Sequence, residues 1–243
     1  TERSRIPRRA PQGRDGAVKA SGSLYAELIK GGGKLPSMTN FVALVKQRIP
    51  KQRESEKQLS KANEIGTYAH ALVEHDLKQQ LKIPSERPAA PKLKENAEAG
   101  EHAYEAQRKW ADSVKLRPIC IEATIYSLKR RRVAGTLDTL AYVEDKRKVV
   151  DWKTGKSIYG EAFIQNAVYQ DAWEEMGNEQ VDGGVIVRLP KNIGDPEFEA
   201  KDVPDRAGLL LAFDGARALY EWWDAEQKRT KAAFQSRFRK KAA

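Results

Sequence analysis

The sequence is poorest in the residues that build cofactor cages. Cys120 is its only cysteine, beside three histidines and two methionines. That excludes an internal disulfide, a cysteine zinc cluster and an iron–sulfur cluster, which takes about four thiolates. Long apolar runs are missing too. No stretch of about 18 apolar residues occurs and no apolar segment follows the Arg- and Pro-rich opening, so neither a membrane span nor a signal peptide is expected, and the expected setting is a cytoplasm. Acidic residues are absent from 228–243, which hold seven Lys/Arg, while residues 1–20 hold six Lys/Arg against two acids. The net charge of +10 therefore sits in the two ends and the body is nearly neutral. Basic ends suit a polyanion, because each phosphate they neutralise releases condensed counterions. They equally suit a solubilising tail.

What is present is enough for one sizeable core: 243 residues, 40% hydrophobic and 32% charged. Residues 1–22 (TERSRIPRRAPQGRDGAVKASG) are broken by Pro and Gly and read as a disordered basic arm. Residues 23–227 form one domain and 228–243 a basic helix end. A helix capped by Ser37 or Thr39 is expected through Phe41, Leu44 and Val45. A second, over 60–81, carries Ala62, Ile65, Ala69, Leu72, Val73 and Leu77 at helical spacing, and a third follows over 94–114 after Pro84, Pro88 and Pro91. From Arg117 the period falls to two. Strands are expected over 117–126, 133–143 and 148–153, then a helix over 159–176, a strand over 184–189 and a long helix from 204. That order implies a mixed α/β sheet flanked by helices.

The second and third strands carry charge where strands normally carry apolar residues, in Asp138, Asp151 and Lys153. With a turn at 144–147, Val143 faces Lys148, Leu140 faces Asp151 and Asp138 faces Lys153. All three charged groups then share one face, with the two carboxylates diagonal neighbours about 7–8 Å apart at Cα. Carboxylates so close repel unless a cation sits between them, and oxygen ligands suit Mg²⁺ or Mn²⁺. A lysine beside such an ion has no acceptor with which to bind it, but it can hold a water and offset charge on a phosphate. That combination points to phosphodiester hydrolysis. Taken alone, the same residues also describe a solvent-facing Asp–Lys pair of small energetic worth.

The wider pattern joins Gly135-Thr-Leu-Asp138, Val149-Val-Asp-Trp-Lys-Thr154 and Gln165-Asn-Ala-Val-Tyr169, with Gly66-Thr-Tyr-Ala-His70 and Glu122 upstream. In this order the pieces resemble the PD-(D/E)XK nuclease superfamily, in particular its RecB-like exonuclease branch with a QxxxY helix. The likeness spans about 66–173. It implies a restriction-endonuclease-like αβββα core with flanking helices. Asp138 and Asp151 would bind one or two Mg²⁺ or Mn²⁺ ions, the main-chain carbonyl of Trp152 and His70 would complete the ligands, and Lys153 would order the nucleophile. Glu122 would orient a ligand or water, and Gln165 and Tyr169, four apart on one helical face, would hold the DNA strand. Relatives that carry an iron–sulfur cluster use four cysteines, so the cluster-free, phage-like members are the closer match.

The resemblance implies a metal-dependent deoxyribonuclease, an exonuclease acting on single-stranded or end-bearing duplex DNA. A structure-specific, resolvase-like endonuclease and a non-cleaving DNA-binding subunit of a helicase–nuclease are the alternatives. A recombination or replication protein would be a natural partner and a phage-infected cytoplasm a natural setting. The run Lys129, Arg130, Arg131 and Arg132 lies in a turn beside the Asp138 strand, where it could grip phosphates or simply be solvated. Trp222 and Trp223 recur with other apolar residues on the last helix, a spacing that predicts core packing over base stacking. Gly155-Lys-Ser157 lacks the leading glycine of a phosphate loop, and His70, Glu74 and His75 stand in the wrong order for a helical zinc protease site.

Overall fold

The computed structural model describes residues 56–192, 194–195 and 197–241. The expected basic arm and the helix capped by Ser37 or Thr39 lie outside these residues. In chain order the elements are α1 (Glu56–Gln80), α2 (Lys94–Ser113), β1 (Arg117–Ser127), β2 (Val133–Val143), β3 (Lys146–Thr154), α3 (Gly160–Glu175), β4 (Gly183–Leu189), β5 (Glu199–Asp202) and α4 (Arg206–Lys241). The strands form one sheet in the order β1-β2-β3-β4-β5. Only β3 and β4 run parallel, as strands joined by a crossover helix must. β5 was not expected from the sequence, since its four residues Glu-Ala-Lys-Asp are partly to fully exposed and show no apolar alternation.

Each face of the sheet carries a helical layer. On one side Ile125, Leu137, Leu140 and Val149 pack against Val168, Tyr169 and Ala172 of α3 and Phe213 of α4. On the other, Ala141, Val150, Trp152 and Val187 pack against Ala69, Val73 and Leu77 of α1 and Trp110 of α2. Trp152 is fully enclosed: it meets Trp110 edge-on at 5.4 Å between ring centroids, and its indole N–H donates to Thr139 Oγ1 at 3.0 Å. α3 lies unusually close to the sheet because residue 184 has no side chain. A Cβ there would stand 1.9 Å from Asn166 Oδ1. Asn166 Nδ2 in turn donates to the Val149 carbonyl and Gln170 Nε2 to Asn166 Oδ1, which fixes the helix against β3.

Two sequence expectations are corrected here. The β2–β3 turn is Glu144–Asp145 alone, both with positive φ (51° and 62°), as a two-residue hairpin of this twist requires. Val143 therefore pairs with Lys146 and Leu140 with Val149, a register two residues away from the expected one. An even slip keeps every side chain on its face, whereas an odd one would have inverted them. The second correction concerns α4: Trp222 and Trp223 are 54% and 50% exposed rather than core. Nothing in helical spacing tells whether a surface exists to receive an apolar stripe.

Candidate active site

The site forms where β2 and β3 part. Their pairing ends at Thr139–Val150, and one step further Asp138 would stand opposite Asp151. There the Asp138 Oδ2 accepts the Trp152 backbone N–H at 2.9 Å, a side chain taking the place of a strand carbonyl. The N–H and C=O of one strand residue point to the same neighbour, so the Trp152 carbonyl also faces this fork. On the far side of β2, the β1 register places Glu122 across from Asp138, between the pairs Ile121–Thr139 and Ala123–Leu137. Three carboxylates thus stand in a row across three adjacent strands.

A break in side-chain alternation aims them. Leu137 and Leu140 are three apart yet pack into the same cluster, while Ala141 and Val143 pack into the opposite one; on β1, Cys120 and Ala123 do the same and Ile121 opposes them. The slip coincides with Glu122, whose φ of 48° is left-handed, a costly conformation for a residue with a side chain. Asp138 sits at this slip and not in a regular pleat.

Burial sets the electrostatics. Asp151 is 1% exposed. Lys153 Nζ donates to its Oδ1 at 2.8 Å and lies 2.7 Å from Oδ2, but Oδ2 is buried without a hydrogen bond. Desolvation pushes the Asp151 carboxyl up to about 6, against the pull of Lys153 and with the Asp138 charge adding to the rise. Desolvation also raises Asp138, with Lys153 and the Trp152 N–H opposing it. Burial would neutralise Lys153, but the Asp151 and Asp138 charges outweigh burial and raise it, so the ammonium stays charged. Glu122 is exposed at the rim and is pushed up to about 7, first by partial desolvation and then by Asp138 and Glu74. His70 is lowered by desolvation and by Lys153, which keeps the imidazole neutral, the form that binds metals.

α1 and α3 close the site from opposite layers. Asn63, Thr67, His70 and Glu74 recur on one face of α1 and line a cleft of 740 Å³ with Glu122, Asp138, Thr154 and Lys191. Gly66 lets α1 come this near, since a Cβ would sit 2.7 Å from Thr154 Oγ1. From α3, Gln165 Oε1 accepts from Lys153 at 3.3 Å, and Gln165 Nε2 donates to the Tyr169 hydroxyl at 2.7 Å. Burial raises the Tyr169 phenol well above its usual range, so it remains protonated.

Asp138, Asp151, Lys153, Gln165 and Tyr169 are therefore brought together, with His70 and Glu122 on the walls of the same cleft. Among the described residues no three His, Cys, Asp or Glu side chains converge closely enough to hold an ion unaided. The donor set still fits a hard divalent cation: such an ion keeps several waters and needs only one or two carboxylates, and Asp151 Oδ2, which accepts no hydrogen bond, is one donor for it.

Half of the basic turn is engaged inside the protein. Arg131 is withdrawn into ion pairs with Asp171 and Asp214, its side chain 11% exposed, and Arg130 donates to Asp171 at 2.9 Å. Glu175 accepts the backbone N–H groups of Leu128, Lys129 and Arg130 and so clamps the turn to α3. Lys129 and Arg132 are exposed, and neither has an ion pair among the described residues. Sequence reasoning missed Lys191, whose Nζ donates to the Ala62 carbonyl at 2.8 Å from beyond β4, and Glu74 as a cleft residue. Glu74 was legible, being one turn after His70; Lys191 stands in a loop with no periodicity to mark it.

A family model of the PD-(D/E)XK nuclease superfamily matches residues 39–242. No curated protein matches the chain. Among solved structures, the chain is similar to one described as "Crystal structure of SSO0001", at 11% identity over 76% of this chain and 88% of that one, with a TM-score of 0.30. A likeness this distant carries no argument.

Proposed function

The chain belongs to the PD-(D/E)XK nuclease superfamily, and from that premise we propose that it is a divalent-metal-dependent exonuclease that degrades DNA from its ends. The observation that carries the reading is the buried carboxylate Asp151, desolvated, beside a second raised carboxylate, and with one oxygen that accepts no hydrogen bond and is faced only by the Lys153 ammonium among the described residues. A protein gains nothing in stability from such a group, so a bound cation is the economical reason for it.

Asp138, Asp151, His70 and the Trp152 carbonyl are the groups that would hold Mg²⁺ or Mn²⁺. Bound there, the ion supplies Lewis-acid polarisation of the phosphate and a more acidic water. Lys153 keeps its charge inside the site and has Gln165 as a second hydrogen-bond partner, which supports a role in which its ammonium holds the attacking water and offsets charge growing on the phosphate. Gln165 and Tyr169 present an amide and a protonated phenol, both neutral donors suited to a phosphate oxygen or a base edge. Glu122, at the rim, accepts from water that enters the cleft. The preference for ends rests on the QxxxY helix, which the RecB-like exonucleases share.

The test is degradation of end-labelled linear single- and double-stranded DNA beside closed circular DNA, with Mg²⁺, Mn²⁺ or EDTA. Metal-dependent loss of linear DNA, spared circles, and inactive Lys153→Ala and Asp138→Ala proteins are expected. Nicking or linearisation of circles would replace the exonuclease with an endonuclease. No cleavage with any ion would overturn the enzymatic reading.

A further inference from the structure

α4 changes character along its length. Up to Tyr220 it is held to the body: Phe213 is buried, Leu210 and Tyr220 pack on the α3 side of the core, and Arg217 Nη1 donates to the Arg131 carbonyl at 2.6 Å. Beyond Tyr220 every described side chain is exposed except Asp224 and Glu226, which are partly so. Large aromatics nevertheless cluster in this exposed part. Trp222 and Trp223 are about half exposed and stand 6.0 Å apart, and Phe234 is 62% exposed. Trp223, Gln227, Thr230 and Phe234 follow one another at helical spacing along a groove of 530 Å³, with Lys231 beside them. Its aromatic ends lie about 16 Å apart along the helix.

We propose that the part of α4 from Trp222 to Lys231 is a second binding strip, for single-stranded DNA, separate from the β2–β3 fork. Bases would stack on Trp222 and Trp223, and phosphates would meet Lys228, Arg229 and Lys231 one to two turns further along the helix. The charge is the deciding argument, since 228–243 contain seven Lys/Arg and no acid. Among the described residues, Lys228 and Arg229 pair with Asp224 and Glu226 of their own helix, in exposed contacts that a phosphate displaces at small cost. A second copy of this chain is a poor occupant. A two-fold contact through the strip would set one basic segment against the other, and lysine is depleted from protein interfaces. Stacking needs no particular base, which suits a protein without an evident base-reading element.

The strip rests on the nuclease reading only for the choice of DNA, and it is tested without cleavage. In EDTA, oligo(dT) is titrated into the full chain while tryptophan fluorescence and the anisotropy of a labelled oligomer are followed. Trp222→Ala/Trp223→Ala should weaken binding by about tenfold or more and abolish most of the quenching. Lys231→Glu, at an exposed position that leaves folding intact, should weaken binding and flatten its salt dependence by about one phosphate contact. Wild-type affinity in both variants would overturn the proposal, as would sedimentation of a wild-type dimer that the double variant dissolves, which would assign the strip to a second copy. Binding lost with metal-dependent cleavage retained confirms a separate strip. Cleavage absent with strip binding intact would sink the nuclease reading and leave this one standing.

Discussion

α3 separates two clusters of buried charge that share a helix and have opposite logic. At one, Asp171, Glu174 and Glu175 each have both carboxylate oxygens hydrogen-bonded: Asp171 by Arg130 and Arg131, Glu174 by a two-pronged Arg206, and Glu175 by Ser127 and three backbone N–H groups. At the other, Asp138 and Asp151 share one lysine, and Asp151 Oδ2 has no hydrogen bond. Burial acts on both. It is overcome at Glu174 by the Arg206 hydrogen bonds and at Glu175 by Ser127 and the backbone donors, so both carboxyls fall below the usual range. At Asp138 and Asp151 burial prevails and both rise. The first cluster is arranged for the folded state as it stands. The second spends stability to keep a place for positive charge.

The largest expected effect comes from neutralising one acid in each cluster. Asp171→Asn leaves Arg131 buried without its main partner and should destabilise the fold by ~3 kcal/mol, with cleavage per folded molecule retained. Asp151→Asn should do the reverse. It removes a desolvated charge facing Asp138, so stability in EDTA rises while the cleavage rate falls by at least about a hundredfold. Urea unfolding and a nuclease rate on the same two proteins check this, and a destabilised Asp151→Asn would break the comparison.

A smaller effect of opposite sign in each cluster is expected from pH. Asp151 has a folded value of about 6 against an ordinary value of 3.8, so the native state binds the extra proton between the two. Stability contributed there is present at low pH and lost as pH rises through that window. The advantage of Asp151→Asn over wild type should therefore grow from about pH 4 to about pH 6 and then level off. Glu175 is lowered, so its contribution is present above the unfolded value and lost as pH falls through the folded one. Glu175→Gln should cost stability at neutral pH and cost less as the solution is acidified. Two unfolding series in EDTA with parallel slopes would erase the distinction.

How much of this was legible follows from which links are local. Among the described residues the order of helices and strands, the short β5 excepted, was readable from period, and so was the shared face of Asp151 and Lys153, which depends only on their being two apart. The face survived a wrong turn because the register error was even. The slip at Glu122 and Asp138 was not readable: alternation Ile121, Ala123, Ile125 looks unbroken, and the left-handed φ at Glu122 arises from how β1 and β2 bend together. The fate of Lys129–Arg132 was equally hidden. A run of four cations reads as surface until one knows that Asp171, Glu175 and Asp214 approach from elements some 40 to 80 residues away. Trp222 and Trp223 show the same limit from the other side, since a sequence states what a helix offers and not whether anything packs on it.

The smallest effect tests whether the basic turn is wholly structural or divided. Arg131 is 11% exposed and bound to two carboxylates, whereas Lys129 and Arg132 are exposed. A cation in contact with a phosphate adds about 0.7 to 0.9 to the slope of log affinity against log salt, and one engaged inside the protein adds nothing. Lys129→Ser/Arg132→Ser should therefore leave the melting temperature unchanged and reduce the slope for DNA binding by about 1.5. Arg131→Ser should lower the melting temperature, by the logic of its partner Asp171, and leave the slope of the folded protein as it was. If Arg131→Ser instead flattened the slope, its ion pairs would have to open to DNA. The balanced cluster would then be a reserve of binding charge, and the contrast across α3 would be one of degree.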